Sequence, residues 1–211
     1  MKTEILDIKG NWNQVLNDCR STISKPFINK EPSVKFKRGI LMAEHSPIRD
    51  IIIRWRWQNI KSWISVHFCR HHMLEPRVSS QRNDRQDKYD RNKAPQDTPV
   101  NMIMEGNVQA CIDMERKRLC NQAAPETREY AEDLKISVHL QEPEIADVFV
   151  KPCVRCGACP EINNCGWYET FLARHPEIDV HTTLQERYNI YNKEFYEKHP
   201  YIIEMENNEN V

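Results

Sequence analysis

The sequence predicts an α+β fold, because one strand-like segment stands among several segments with helical patterns. Residues 48–57, IRDIIIRWRW, combine β-branched residues with tryptophans and alternate at their end, which is typical of a strand. Residues 1–32 are polar and weakly patterned, and residues 73–100 are expected to be irregular because they hold many charges and three prolines. The predicted helices cover 34–45, 60–71, 102–121, 125–140 and 143–150, with shorter helical pieces after residue 166.

Composition limits the classes of function that the chain can have. The 211 residues fit one domain, or one domain with a small appendage, and the net charge of −1 excludes a general polycation that would bind nucleic acid non-specifically. No apolar run approaches the roughly 18 residues of a membrane span, and the polar start is unlike a signal peptide. We therefore expect a cytoplasmic protein without a membrane partner. Five glycines and no P-loop or Rossmann pattern argue against a glycine-rich phosphate loop.

The segment 70–82, RHHMLEPRVSSQR, concentrates arginines and histidines in a roughly neutral protein. Guanidinium groups bind phosphate through paired N–H donors, and a serine hydroxyl adds a neutral donor. Arg70, Ser80, Arg82 and the later Arg91 could therefore enclose one phosphate monoester. The alternative is a solvated charged loop, in which neighbouring acids such as Asp84 neutralise the arginines.

The predicted helix 102–121 carries a second set of polar groups. Asn107, Cys111, Met114 and Arg118 fall on one helical face, with an amide at one end and a guanidinium at the other. These side chains indicate a ligand-facing surface, although an ordinary surface Asn and Arg would give the same spacing.

The ordered set of these motifs resembles the flavin-dependent thymidylate synthases of the ThyX type. The segment 70–82 is similar to the family's signature, which begins Arg-His and ends Ser-x-Arg. Upstream, EHSPIR at 44–49 is similar to the family's Gly-His-x-x-Pro-x-Glu-His segment. The resemblance covers about residues 36–150, and its downstream matches are Arg91, Pro95, Asn107, Arg118, Ala123 and Glu126.

The resemblance implies a fold and an activity. A ThyX-like nucleotide- and flavin-binding domain over 1–150, with a small antiparallel sheet packed with long helices, would precede a Cys-rich C-terminal extension over 151–211. Members are homotetramers that bind FAD at subunit interfaces. They convert dUMP to dTMP with methylenetetrahydrofolate and NADPH.

The resemblance also implies roles for single residues. Arg118 would be catalytic, because it would face the uracil edge and stabilise negative charge on the activated ring; no protein nucleophile is assigned. The residues implied for dUMP are His67, Arg70, Ser80, Arg82, Arg91 and Arg118. Those implied for FAD are Ser46, Arg70, His71, His72, Asn107 and Asp113.

Several positions depart from the family's pattern. Only eight residues separate Arg82 from Arg91, where the family has a few dozen. The flavin contacts are altered more than the phosphate contacts, which leaves open a different pyrimidine nucleotide or a non-catalytic nucleotide-binding protein. The substituted positions are Arg49 for Glu, His72 for Arg, Arg77-Val78 for Asn-Glu and Gln109 for Arg.

A cysteine cluster, CVRCGACPEINNC, begins the extension. Cys153, Cys156, Cys159 and Cys165 are spaced so that four thiolates could converge on one ion, which favours structural zinc ahead of an iron–sulfur cluster. Reduced thiols without a metal are the alternative. A third hypothesis for the whole protein is a zinc-bearing nucleic-acid-binding module, whose basic strip at 70–93 has seven Lys and Arg against four acids.

Overall fold

The sheet is a single four-stranded antiparallel sheet with the strand order β1-β2-β4-β3. It belongs to a computed structural model that describes residues 2–85 and 90–200. Strands β2 and β4, at the centre, are the longest, as is typical when both edges of a strand are paired. The strands are β1 (Thr3–Lys9), β2 (Ile52–Lys61), β3 (Glu75–Val78) and β4 (Pro99–Asn107).

Nine helices are formed by the described residues, and none of them is long and apolar enough to cross a membrane. Short 3₁₀ turns at Ser46–Asp50 and Asn83–Arg85 complete the regular structure. The helices are α1 (Trp12–Ser21), α2 (Val34–Met42), α3 (Ser62–Cys69), α4 (Val108–Arg118), α5 (Pro125–His139), α6 (Pro143–Ala146), α7 (Pro152–Cys156), α8 (Trp167–Arg174) and α9 (Leu184–Glu197).

One face of the sheet packs against the hydrophobic core. Alternate residues of β2, including Ile53, Trp55 and Trp57, are buried, whereas Arg54 and Arg56 lie between them on the other face. This period-two pattern is what a sheet with helices on one side requires. The α+β class, a small antiparallel sheet combined with helices, is therefore confirmed.

The predicted strand and the helices on either side of it exist, with shifted boundaries. Helix α2 begins at Val34 as predicted. Strand β2 starts at Ile52 rather than at residue 48, because Pro47 opens a 3₁₀ turn in which the chain is not yet extended. Helix α5 starts at Pro125, where the proline occupies the first helical turn as expected.

The prediction of one helix over 102–121 is wrong for its first six residues. They belong to β4, in which Val100, Met102 and Met104 are buried while Asn101 and Ile103 are not. The alternation was overlooked because apolar residues at every second position also fit part of a helical face. The helix starts only at Val108.

Four strands and helices lie where no regular structure was predicted. Strand β1 and helix α1 occupy the polar N-terminal segment, β3 lies in the segment expected to be irregular, and α7 lies at the start of the cysteine cluster. Strands β1 and β3 lie at the edges of the sheet and bury few residues, so their alternation is weak. In α1, Trp12, Val15, Leu16 and Cys19 recur at helical spacing, so the sequence held a helical signal there that the prediction overlooked.

Residues 151–200 pack against the rest of the chain. Val154, Phe171 and Tyr188 belong to the same hydrophobic cluster as the sheet residues. The Arg187 guanidinium of α9 donates hydrogen bonds to the carbonyl oxygens of Val154 and Arg155 at 3.1 and 3.3 Å, which ties α9 to the end of α7. The division of the chain at residue 150 stays a prediction.

Candidate nucleotide-binding site

The ends of α3 and α4 meet, and their polar residues form a cluster. The Arg118 guanidinium, at the end of α4, donates a hydrogen bond from Nε to His71 Nε2 at 2.8 Å. It donates a second hydrogen bond from Nη2 to the carbonyl oxygen of His67. Arg70 caps the end of α3 and lies close enough to Arg118 to lower the pKa of its guanidinium. The structure thus brings together four of the predicted site residues.

Local sequence explains why both helices end at this cluster. Asn107 caps α4 by accepting a hydrogen bond from Ala110 N at 2.9 Å, so the helix starts directly after β4. In the preceding strand, Gly106 leaves room for the buried Leu74, because a Cβ at Gly106 would lie 2.1 Å from a Leu74 methyl group. Leu74 anchors the turn that follows α3, and this turn carries His71.

The cluster carries the positive charge of two guanidinium groups. Within residues 2–85 and 90–200, neither Arg70 nor Arg118 forms an ion pair with a carboxylate. Burial and the charge of Arg70 lower the pKa of Arg118 below its usual value. Two unpaired guanidinium groups repel each other. An anion that binds between them offsets this repulsion and lowers the free energy of the molecule. The electrostatics of the cluster therefore favour an anionic ligand.

Both histidines of the cluster are neutral at neutral pH. Burial and the charge of Arg118 lower the pKa of His71 to about 4, with a smaller contribution from His72. Burial, Arg118 and Arg70 lower the pKa of His67 as well. His67 Nδ1 is hydrogen bonded to Thr127 Oγ1 of α5 at 2.8 Å, which fixes the orientation of the imidazole ring.

The other residues predicted for the phosphate lie on a separate loop. Arg82 forms a two-point ion pair with Asp84, with nitrogen-to-oxygen distances of 2.9 and 2.7 Å. The Arg91 backbone N–H donates to Asn83 Oδ1 at 3.1 Å, so Arg91 lies beside this turn. No hydrogen bond or ion pair among the described residues joins Arg82 or Arg91 to the Arg70–Arg118 cluster. The acid partner that the solvated-loop alternative required is thus present for Arg82.

The residues predicted for FAD do not share one location: Asn107 precedes α4, Asp113 lies within it, and His71 contacts Arg118 at its end. Ser46 and Asp113 are exposed, as is His72. The Asn107 side chain uses its oxygen to cap α4, and Cys111 and Met114, on the face predicted from its spacing, are buried in the core instead. That face therefore serves packing except at Arg118.

Sequence reasoning missed Glu44, which is the centre of a charge network beside the predicted flavin residues. Its carboxylate accepts hydrogen bonds from both terminal nitrogens of Arg116, from Gln109 at 2.8 Å and from Arg155 at 3.2 Å. Burial raises the pKa of Glu44, but these hydrogen bonds and charges outweigh it and lower the pKa below its usual value. The sequence did not single out Glu44, because acids are abundant in it and spacing does not identify their partners.

The four predicted metal ligands are not arranged around one point. Cys153 is buried and Cys156 is exposed. Cys153, Cys159 and Cys165 line a cavity of about 10 Å³ together with Cys120, whereas Cys156 is not part of its lining. In the part of the chain that is described, no three His, Cys, Asp or Glu side chains form a group that could hold a metal ion. The zinc prediction gains no support.

The fold is of the ThyX type. It is similar to a crystal structure of the flavin-dependent thymidylate synthase ThyX from Helicobacter pylori complexed with FAD and dUMP, with a TM-score of 0.57 and 12% sequence identity. The similarity covers 71% of this chain and 98% of the H. pylori chain. A second H. pylori ThyX structure with FAD and dUMP, at 2.31 Å resolution, gives a TM-score of 0.58 and 11% identity, with 71% and 97% covered.

The sequence alone matches no protein-family model and no curated protein. At 11–12% identity the solved structures show the fold and not the activity. The function must therefore be argued from the residues of the site.

Proposed function

We propose that this protein binds dUMP at the Arg70–Arg118 cluster and methylates it reductively to dTMP, with FAD, NADPH and methylenetetrahydrofolate. One observation carries the proposal: two guanidinium groups and two neutral imidazoles converge at the ends of α3 and α4 without a carboxylate partner among the described residues. The H. pylori structures with the same fold hold FAD and dUMP, which supports a pyrimidine nucleotide as the anion.

Arg118 has the geometry for the catalytic role. Its guanidinium is half-buried and held by two hydrogen bonds, so its remaining N–H groups keep a fixed direction. A fixed donor facing the uracil edge would stabilise the negative charge that develops when the ring is activated. Arg70 and His67 would hold the nucleotide beside it, Arg70 through the phosphate.

The residues present fit a flavin dinucleotide at its charged part. The Arg70 guanidinium is exposed and makes no hydrogen bond within the described chain, so it is available to a diphosphate. Bound FAD would supply the reducing equivalents. The residues that would hold it are Ser46, Arg70, His71, His72, Asn107 and Asp113.

The loop with Ser80, Arg82 and Arg91 would complete the phosphate site from a second copy of the chain. Within one copy, Arg82 is paired with Asp84 and stands apart from Arg118. The homotetramer that the resemblance implies would place this loop against the cluster of a neighbour. A cytoplasmic location belongs to the same proposal.

An absorbance spectrum and a dUMP-binding measurement test the proposed function. Freshly purified protein should show flavin absorbance near ~450 nm, and dUMP should raise its thermal stability, because a ligand of the native state stabilises that state. A colourless protein whose thermal stability does not change with dUMP would refute the proposal. Steep salt-dependent binding to DNA or RNA without a dUMP effect would instead favour the nucleic-acid-binding alternative.

A second candidate, a pyrimidine-nucleotide-binding protein without flavin chemistry, is favoured by the Glu44 network. Glu44 neutralises Arg116 and Arg155 and occupies the amide of Gln109, so these groups are not available to a cofactor. The Arg70–Arg118 cluster has no such acid in the described segments 2–85 and 90–200. A colourless protein that is stabilised by dUMP would support this candidate.

A further inference from the structure

The contact between Arg118 and the turn after α3 fixes the position of the guanidinium charge and also the direction of its remaining N–H donors. An arginine guanidinium has five N–H donors. In Arg118, Nε–H is used by His71 and one Nη2–H by the His67 carbonyl. The remaining donors point away from these two partners and form the edge that a ligand would meet.

The chemistry of the contact defines the state of His71. Because the Nε–H of an arginine can only donate, His71 Nε2 must accept and carry no proton. The proton of the neutral ring is therefore on Nδ1. Burial and the charge of Arg118 lower the pKa of His71 to about 4, so the ring keeps this acceptor throughout the neutral range.

The backbone around His71 is fixed independently of Arg118. The His71 N–H donates to the Phe68 carbonyl at 3.1 Å, and the His71 carbonyl accepts from Leu74 N at 3.0 Å. Phe68 and Leu74 are both buried. The imidazole is thus attached to a turn that buried residues hold in place. Arg118, by contrast, has a long side chain, and fixing it in one orientation costs rotamer entropy.

We infer that His71 is a positioning residue that holds the Arg118 guanidinium toward the base of the bound nucleotide, a role that rests on the proposed nucleotide site. The family resemblance would place His71 on the flavin. In this chain, its Nε2 is occupied by Arg118, so a contact with the flavin would have to use the Nδ1–H side of the ring. His71 therefore acts on the nucleotide through Arg118 rather than through its own contact.

A double-mutant cycle on the full chain, with dUMP as the probe in calorimetry, tests the role. His71→Leu removes the acceptor and should weaken dUMP binding about tenfold, which is typical of a lost hydrogen bond to a charged group. In an Arg118→Ala background the same change should alter binding by less than about twofold. His71→Gln returns an acceptor oxygen near the Nε2 position and should stay within about threefold of the unmodified chain.

Control measurements separate positioning from a structural effect. His181→Leu, an exposed histidine outside the site, should leave dUMP affinity unchanged. Equal weakening by His71→Leu in both backgrounds, or a His71→Gln variant as weak as His71→Leu, would overturn the role. If the leucine variant does not fold, NMR titration decides: the pKa of His71 should rise in Arg118→Ala, and an unchanged pKa overturns the contact. If the unmodified chain does not bind dUMP, the proposed function is refuted. If it binds dUMP but the His71 and Arg118 substitutions act independently, only the positioning role of His71 is refuted.

Discussion

The carboxylate of Glu44 accepts hydrogen bonds from both terminal nitrogens of Arg116, although the two residues are 72 positions apart. Glu44 has a φ of +53°, in the left-handed region that side chains other than glycine rarely adopt. The turn after α2 therefore holds Glu44 in a strained backbone conformation, in which its carboxylate neutralises the Arg116 guanidinium of α4. Arg155 of α7 joins the same carboxylate, so one acid links three elements of the fold.

We expect Glu44→Gln to lower the free energy of unfolding by about 2–3 kcal/mol, between the values for exposed and buried ion pairs. The reason is that the substitution leaves the Arg116 side chain, which is only 16% exposed, without its counter-charge. Urea unfolding measures the change. Glu31→Gln is the matched control: the Glu31 side chain is 65% exposed in its pair with Lys37, and its loss should change little.

The same carboxylate predicts a dependence of stability on pH. The folded-state pKa of Glu44 is lowered, so its contribution is fully present above the unfolded-state value of about 4.3 and is lost as pH falls through the folded-state pKa. The difference in stability between the unmodified chain and Glu44→Gln should therefore shrink below pH ~4. A difference that is constant from pH 7 to pH 3 would contradict the charge network.

Lys135 predicts a second dependence of stability on pH, in the alkaline range. The amine is fully buried, donates to Ala146 O at 2.7 Å and to Asn192 Oδ1 at 2.8 Å, and its pKa is lowered to about 7, chiefly by burial. Between pH 7 and about 10 the unfolded chain binds a proton that the folded chain does not, so stability should rise with pH. Lys135→Met should reduce this rise of stability with pH. Lys193→Met, which replaces an exposed lysine, should not reduce it. Identical pH profiles for both variants would contradict the lowered pKa.

Thiol accessibility distinguishes free cysteines from a metal site. Cys156 is exposed and should react rapidly with a thiol reagent under native conditions. Cys153 should react slowly, because it is buried and burial raises the pKa of its thiol to about 12. Mass spectrometry of labelled peptides measures both. Equal protection of Cys153 and Cys156 that a chelator abolishes would instead restore the four-cysteine zinc site.

Arg118→Ala should abolish turnover and weaken dUMP binding at least tenfold, because the lost donors include those that face the ligand. The fold should persist, since the side chain is half-buried and bonded to groups near the surface. Lys117→Ala is the neighbouring control: its exposed amine pairs with Glu161 and should not affect dUMP affinity. Full activity of Arg118→Ala would remove the residue from the site.

Strong local signals gave the correct parts of the fold. The run of β-branched and aromatic residues before residue 60 identified β2, and Pro125 identified the start of α5. The segment 102–107 was misassigned because a half-buried strand that leads directly into a helix presents one continuous apolar pattern. Only the pairing of β4 with both β2 and β3 decides between the two, and pairing is not a local property of the sequence.

The motif order indicated which predicted residues lie together, but spacing did not identify the ion pairs. Arg70 and His71 end α3, and the structure places them beside Arg118 as the motif order indicated. The Glu44–Arg116 pair was not predicted, because acids and arginines are abundant in the sequence and spacing does not select one pair. The Arg82–Asp84 pair was foreseen only in the solvated-loop alternative, which named Asp84 among several acids.

The pair of Arg82 with Asp84 yields a prediction that distinguishes a phosphate ligand from a solvated loop. If Arg82 binds the nucleotide phosphate, it must exchange the Asp84 carboxylate, at 2.7–2.9 Å, for the ligand. Asp84→Asn would remove this competitor and should strengthen dUMP binding about twofold to fivefold, since exposed ion pairs contribute up to about 1 kcal/mol. Arg82→Ala should weaken it, and the two changes together should resemble Arg82→Ala alone. Calorimetry at fixed ionic strength measures all three variants. Unchanged affinity in both single variants would assign Arg82 to the solvated loop and leave the phosphate to Arg70.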